Sequence, residues 1–167
     1  MSEVEQSDDA RQRVAVLRGY GVLDSPNEPE FDAIVLSAAA LAGTPIALIS
    51  LLDEHRQWFK AKVGLKASQT PLTISFCTHA TRSSGEVFEV EDASKDERFR
   101  HNPLVIGDPN IRFYAGTPLK SPAGIRIGTL CVIDDKPRAR LSDSQRRLLM
   151  RLADRTMAAM EARRCAG

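Results

Sequence analysis

Cysteine is scarce in this chain, and the few cysteines form no pattern. Cys77, Cys131 and Cys165 lie far apart and include no CxxC pair. A disulfide framework is therefore excluded, because such a framework needs an even set of cysteines at recognisable spacings. The odd, low count favours a reducing compartment, and we predict a cytoplasmic protein.

Long apolar runs and an excess of one charge are missing as well. The longest apolar stretch, residues 45–52, is far too short to span a bilayer. The N-terminal residues are polar and acidic and lack the apolar segment of a signal peptide. The formal net charge is only +1, which argues against nucleic acid and against an acidic membrane surface as partners.

Motifs of common enzyme classes do not occur either. The chain contains no GxxxxGKS phosphate loop, no HExxH motif and no recognisable Ser/His/Asp set. It also lacks a kinase ATP site, a GGDEF-like run and a DNA-binding helix pair. We therefore interpret the protein as a binding module and not as an enzyme.

The composition is that of one ordinary globular domain. Hydrophobic residues make up 43% and charged residues 27% of the 167 residues, so a substantial core can form without disulfides or metals. We expect residues 1–8 to be a disordered lead-in and residues 9–165 to form a single domain.

Hydrophobic periodicity predicts helices and strands in an α+β order. Helices are predicted at residues 9–20, 27–42, 75–82 and 142–163. Strands are predicted at residues 45–52, 57–63, 87–90, 111–118 and 125–133. Hairpins predominate and no βαβ series occurs, so the sheet should be mainly antiparallel. Asn27 is expected to cap the second helix, and Ser142 with Gln145 the last.

The first candidate site is the pair Cys77 and His79 near the start of the third helix. The pair is compatible with half a metal site, a thiolate–imidazole pair or a cofactor tether. It is equally compatible with a small buried cysteine and a hydrogen-bonded histidine. A zinc site would need about two more ligands, and only His55 and His101 remain as histidines. Residues two apart on a helix point in nearly opposite directions, so we predict that Cys77 is not catalytic.

The second candidate site is one face of the fourth strand, formed by Arg112, Tyr114 and Gly116. Arg suits an anion, Tyr offers apolar contact with a polar tip, and Gly leaves room, as expected of a cavity wall. The alternative is an ordinary solvated face on which Arg112 pairs with an acid. The opposite face, with Phe113 and Ala115, is predicted to be core.

The third candidate site is the long connection over residues 92–110, which is rich in charge, Asn, Pro and Gly. Phe99, His101 and Asn102 could belong to a lid over the same cavity. The alternative is a solvated loop that Phe99 anchors and Asn102 stabilises through turn bonds. Another segment with mixed chemistry is Trp58 with its neighbouring lysines, which we interpret as a half-exposed strand.

Several segments together resemble the GAF domain family over about residues 11–163. They are LRGYGVLDSPNEPEFDAIVLSAAALAGTPIALISLLDEHRQWFKAKVGL, SFCTHA, DASKDERFRHNPLVIGDPNIRFYAGTPL and GTLCVIDDKPRARLSDSQ. They look like the GAF modules at the front of bacterial histidine kinases and cyclic-di-nucleotide enzymes. The resemblance implies an α+β, GAF/PAS-like fold, in which a five- to six-stranded antiparallel sheet carries helices on one face and a loop-covered cavity on the other.

The resemblance implies a regulatory domain that binds a small molecule and works with an effector, such as a histidine kinase or a diguanylate cyclase. The chain is then either a free-standing sensor or the front of a longer protein. No covalent bilin is expected, because residues 95–110 lack the cysteine that usually attaches it. We also predict a homodimer formed by the terminal helices, since the last helix carries more apolar rows than one sheet needs.

Two alternatives remain open. Some GAF-fold proteins reduce free methionine sulfoxide with a nucleophilic and a resolving cysteine, and Cys77 falls near a cysteine of that pattern. The nucleophile expected in the long loop is missing, however, and the sequence places neither Cys131 nor Cys165 beside Cys77. The other alternative is a dimerisation module without a ligand.

Overall fold

The computed structural model describes residues 3–166, with side chains over residues 8–164. Within this part, the chain forms five α-helices and six β-strands. The helices are α1 (Glu3–Gly19), α2 (Pro29–Ala42), α3 (Phe76–Arg82), α4 (Pro103–Ile106) and α5 (Asp143–Ala166). The strands are β1 (Ile46–Leu52), β2 (Arg56–Val63), β3 (Gln69–Pro71), β4 (Phe88–Val90), β5 (Phe113–Lys120) and β6 (Arg126–Asp134).

All six strands join one antiparallel sheet in the order β3-β2-β1-β6-β5-β4. The central pair, β1 and β6, places Ser50 opposite Thr129 and Leu48 opposite Cys131. β1 is buried over its whole length and β6 over all but its first residue, as expected of strands covered on both faces. The predicted α+β fold with an antiparallel sheet is confirmed.

Helices α2 and α5 cover one face of the sheet. α2 buries the stripe that its periodicity predicted, and the buried side of α5 packs against it with Leu149, Ala153 and Met160. Each buried Val, Leu, Ile or Phe contributes about 1.5–3 kcal/mol, so this layer holds much of the stability. The Ser142–Gln145 capping box forms as predicted, with Gln145 N–H donating to Ser142 Oγ at 3.1 Å.

A second core lies on the opposite face, beneath α3 and the connection that contains α4. Phe76 of α3 stacks on Phe99 of this connection with 4.1 Å between ring centroids. Phe99 has no exposed surface, and Tyr114 of β5 lies beside the stack. Loops and short helices therefore form the cover on this side of the sheet.

Several boundaries differ from the sequence-based expectations. α1 begins at Glu3 and so extends further towards the N-terminus than the helix predicted over residues 9–20. Residues 69–71, expected to be loop, form the edge strand β3. The N-cap of α2 is Glu28, not Asn27, because Pro29 occupies the first helical turn.

The largest difference is a bulge in β2. Ile49 lies opposite Ala61 and Ser50 opposite Phe59, so Lys60 is an extra residue in the pairing. A one-residue shift reverses the faces that follow it, because side chains alternate along a strand. The bulge therefore places Ala61 on the same face as Lys60. That face is covered by α2, so Lys60 is buried, with 1% of its surface exposed, and the expected half-exposed strand is wrong at this position.

Candidate functional site

A cavity of about 100 Å³ lies between the sheet and its loop cover. Its apolar walls come from the strands and from α3, and the connections before β3 and before β5 close it. The lining residues are Ile46, Leu48, Gln57, Phe59, Leu65, Lys66, Ala67, Thr70, Phe76, Cys77, Leu104, Asp108, Pro109, Ile111, Tyr114, Cys131 and Ile133. Such a mostly apolar pocket with a few polar groups is typical of small-molecule sites.

The polar groups gather around the sulfur of Cys77. Thr129 Oγ1 donates a hydrogen bond to Cys77 Sγ at 2.9 Å, and the Tyr114 hydroxyl lies 3.3 Å from the same sulfur. The Tyr114 hydroxyl also lies 3.4 Å from Thr129 Oγ1. All three side chains are buried, so these contacts satisfy polar groups that are shielded from bulk water.

A second set of hydrogen bonds continues from this cluster across the sheet. Gln57 Oε1 accepts from Ser50 Oγ at 2.8 Å and from Ser75 Oγ at 2.9 Å. Gln57 Nε2 donates to Thr70 Oγ1 at 2.7 Å, near the covering loop. The network fixes the Gln57 amide and ties β1, β2, β3 and the start of α3 together at the cavity floor.

Cys77 and Cys131 are neighbouring thiols in this floor, and each influences the ionisation of the other. Burial opposes ionisation of Cys77, but hydrogen bonds with Cys131, Ser50, Thr129 and Tyr114 together lower the pKa of its thiol to about 6. The Cys77 hydrogen bond and burial raise the pKa of Cys131 well above its usual value. One proton therefore leaves the pair readily and the second does not, as expected when two thiols share a site.

This geometry is accompanied by a match of residues 26–160 to a family model described as "GAF domain". The chain belongs to the GAF domain family. A cyclic di-GMP phosphodiesterase from Pseudomonas aeruginosa is 46% identical over 151 residues, which cover 90% of this chain and 26% of that protein. This GAF domain thus spans about a quarter of the length of the curated relative.

Solved structures share the fold. The GAF domain of an Acinetobacter phosphoenolpyruvate-protein phosphotransferase aligns with a TM-score of 0.67 at 23% identity and covers 100% of this chain and 98% of its own. A free methionine-R-sulfoxide reductase from Neisseria meningitidis aligns with a TM-score of 0.63 at 21% identity, covering 92% and 90%. At such identities the likeness concerns the fold alone.

Two of the predicted site residues, Cys77 and Tyr114, line the cavity of this GAF domain. Gly116 lies on the same strand face, but it makes room for Tyr114. A Cβ at Gly116 would lie 2.5 Å from the Tyr114 hydroxyl. The small residue therefore accommodates a side chain of the protein, not a ligand as its type suggested.

Arg112 lies outside the cavity lining. It precedes β5, and its Nη1 donates to the backbone carbonyls of Val105 at 2.8 Å and Ile111 at 3.0 Å. We expected Arg112 either to contact a ligand anion or to pair with an acid. Its hydrogen bonds to two carbonyls correspond to neither role. The guanidinium instead fastens α4, and with it the cavity cover, to the start of β5.

The remaining predicted residues, which lie in or against the cavity cover, are His79, Phe99, His101 and Asn102. Asn102 caps α4 by accepting from Leu104 N–H at 2.8 Å and donates to the Ile74 carbonyl at 3.1 Å. The His79 ring meets the edge of Phe99, with 4.7 Å between the ring centroids. The residue is exposed overall, yet partial burial of its ring and then the charge of Arg98 lower its pKa. His101 is exposed. None of these four lines the cavity.

Cys131 was not predicted as a partner of Cys77, and the structure corrects this. Thr129 and Cys131 are two apart on β6 and so share the face that α3 covers. A signal was present in the sequence, because Ser50, Thr129 and Cys131 interrupt strands that are otherwise apolar on both faces. Buried polar groups of that kind need partners, which indicates a common cluster.

Two further observations concern the residues that the structure describes. No helix within residues 3–166 is both long and apolar enough to cross a membrane. Over the same residues, no group of three or more His, Cys, Asp or Glu side chains is placed to hold a metal ion. Cys77 and His79 point to different surroundings, the cavity floor and the outer face of α3.

Proposed function

We propose that this GAF domain is a cytoplasmic regulatory module that binds a small molecule in the cavity beneath α3 and α4. The observation that carries the proposal is a mainly apolar cavity, partly open to the surface, with a polar floor formed by Cys77, Tyr114 and Gln57. Occupation of the cavity would change the packing of its cover, and the change would reach an effector through the terminal helices of a dimer.

The volume limits the ligand. An engineered apolar cavity of about 150 Å³ binds benzene, so the 100 Å³ here suits a molecule of about that size or smaller. Its polar group would meet the hydroxyl and amide groups of the floor. A cyclic dinucleotide is far larger than this space, so we assign the nucleotide of the Pseudomonas relative to an effector and not to this cavity.

The effector is proposed from the same relative. A cyclic di-GMP phosphodiesterase contains a stretch that is 46% identical to this chain, which supports a role in cyclic-dinucleotide signalling. Histidine kinases are the other class of effector expected from the family. In either case the domain would act as a sensor and the chemistry would take place elsewhere.

Native mass spectrometry of the protein from its own cells tests ligand binding. We expect a bound small molecule in the parent protein and none in an Ile133→Phe variant, whose larger side chain fills the cavity. Ile106→Phe is the matched control, because Ile106 is 70% exposed and does not line the cavity. A parent protein that carries nothing, although it is folded and dimeric, would favour a dimerisation module instead.

The presence of Cys77 and Cys131 in one cavity floor gives one enzymatic alternative a specific observation. A free methionine sulfoxide reductase needs a nucleophilic and a resolving thiol, and these two are adjacent. We nevertheless propose that the domain has no such activity, since both sulfurs lie beneath the sheet cover. Methionine sulfoxide reduction with a thiol reductant should stay at background; turnover that disappears in Cys77→Ser would make the protein an enzyme.

A further inference from the structure

The two buried cysteines differ from ordinary core cysteines in their surroundings. Both line the same cavity, close enough for each to influence the ionisation of the other. A structural cysteine usually packs against hydrocarbon and is inert. Here Thr129 and Tyr114 direct hydroxyl groups at the sulfur of Cys77, an arrangement that favours charge on that atom.

We propose that Cys77 and Cys131 form a reversible redox pair that responds to a small hydroperoxide entering the cavity. Cys77 is the reacting thiol and Cys131 the resolving thiol. This modification site does not require a bound ligand, so it is independent of the function proposed above.

The reaction balances in two steps. The Cys77 thiolate attacks one oxygen of the hydroperoxide, the O–O bond breaks, and the leaving oxygen takes a proton as water or an alcohol, which leaves a sulfenic acid. The sulfur of Cys131 then attacks the Cys77 sulfur; the S–S bond forms, the S–O bond breaks, and hydroxide leaves with the Cys131 proton as water. Two thiols and one peroxide therefore give one disulfide, one alcohol or water, and one water.

The arrangement gives each cysteine a distinct role. Donors surround Cys77, so its thiolate is available near neutral pH, whereas Cys131 keeps its proton until Cys77 has been oxidised. The low exposure of both sulfurs restricts the oxidant to a molecule that fits a cavity of about 100 Å³. Disulfide formation would also draw α3 towards β6, because sulfur atoms must approach to about 2.05 Å.

The test uses a Cys165→Ser background, so that only the two buried thiols remain. After exposure to hydrogen peroxide, alkylation under denaturing conditions should label neither thiol, and peptide mapping should find a Cys77–Cys131 disulfide that dithiothreitol removes. Adding Cys131→Ser should stop the reaction at a sulfenic acid that dimedone traps on Cys77. Adding Cys77→Ser should leave Cys131 reduced.

Other results would overturn the proposal. It fails if both thiols stay open to alkylation under an exposure that fully oxidises free cysteine. It also fails if Cys131 is oxidised at the parent rate in the Cys77→Ser protein. Because ligand binding is measured separately by mass spectrometry, a negative result here leaves the proposed sensor function intact.

A matched pair of Thr→Val variants tests the mechanism without removing a cysteine. Thr129→Val deletes the donor to Cys77, so oxidation should slow at neutral pH and its midpoint should move to higher pH. Thr117→Val is the control, since Thr117 is also buried in the sheet; its midpoint should match the parent. In the parent the rate should level off by about pH 7, whereas an ordinary thiol with a pKa of about 8.5 keeps accelerating. Equal midpoints in both variants would contradict the assigned role of Thr129.

Discussion

At the scale of single residues, Lys60 has the most unexpected position. Its ammonium group donates to Ser25 Oγ at 2.8 Å and to the Pro26 carbonyl at 2.7 Å, and it pairs with the Glu28 carboxylate. Glu28 also accepts from Arg163 Nε of α5 at 2.9 Å. A buried charge persists only when it is paired and hydrogen bonded. The cluster consequently joins β2, the segment before α2 and the last helix.

We predict that Lys60→Ala destabilises the domain strongly. The substitution removes one of the two cations that pair with Glu28 and leaves a void where the side chain packed, so we expect a loss of about 3 kcal/mol. Urea denaturation measures it. Lys62→Ala is the matched control on the same strand; Lys62 is exposed, and its loss should stay within about 0.5 kcal/mol. Equal losses would contradict the structural role of Lys60.

Glu28 should also make stability depend on pH. Burial alone would raise its pKa, but the bonds from Lys60 and Arg163 lower it below the usual value. A lowered folded-state pKa means that the stabilisation is complete above the unfolded value, about 4.3 for Glu, and is lost as pH falls through the folded one. Between neutral pH and about pH 3, the free energy of unfolding should therefore fall less steeply in the Glu28→Gln variant than in the parent protein. Glu30→Gln, an exposed neighbour, should behave like the parent.

At the scale of elements, the pairing of β1 with β6 positions the site. It brings Ser50 opposite Thr129 and sets Cys131 beneath α3. Gly128 permits the close approach of these two strands, because a Cβ at this position would lie 1.9 Å from the Ser50 carbonyl oxygen. The backbone itself, and not a flexible side chain, would have to move.

Gly128→Ala should therefore disrupt the central pair of strands. We expect a loss of about 3 kcal/mol, at the upper end for overpacked interiors. Gly19→Ala is the control, since nothing lies within 4 Å of a Cβ built there; helix propensity predicts unchanged stability or a gain of up to about 1 kcal/mol. Thermal or urea unfolding distinguishes the two. If the Gly128→Ala protein has the same free energy of unfolding as the parent, the two strands can move apart without loss of stability.

At the scale of the whole molecule, α5 leaves apolar surface uncovered. Its buried side contacts the sheet and α2, whereas Leu148 is 45% exposed and Leu36 of α2 is 58% exposed. Exposed apolar groups on the helical layer suit contact with another helix. The proposed homodimer through the terminal helices agrees with the exposure of Leu148 on α5, and it would leave the cavity face free.

Sedimentation tests the dimer. The parent should sediment as a dimer at tens of micromolar, and Leu148→Glu should shift it to monomer, because a charge would be buried at the interface. Ile106→Glu is the matched control, since Ile106 is even more exposed but lies on α4, away from the helical layer. A monomeric parent protein would contradict the dimer. A dimer that dissociates only in the Ile106→Glu variant would place the interface elsewhere.

Local sequence patterns were enough to predict the fold class, most helices and strands, and the presence of two covered sheet faces. Periodicity identified the α2 stripe, the buried β1 and β6 and the capping box of α5, because each depends on residues near one another in the chain. The residue types at positions 77 and 114 also allowed Cys77 and Tyr114 to be predicted as candidate site residues. The contacts that these two side chains make could not be predicted from the sequence.

Contacts between distant segments could be seen only in the folded chain. Cys77 and Cys131 share the cavity floor because α3 packs on β6, and Lys60 is buried because α2 covers the face of β2 on which it lies. Arginine is a residue type expected to contact a ligand anion, yet Arg112 donates to backbone carbonyls in α4 and just before β5. Local preferences fix the direction in which a side chain can point, whereas its partner depends on strand order and register, which are set by the packing of the whole chain.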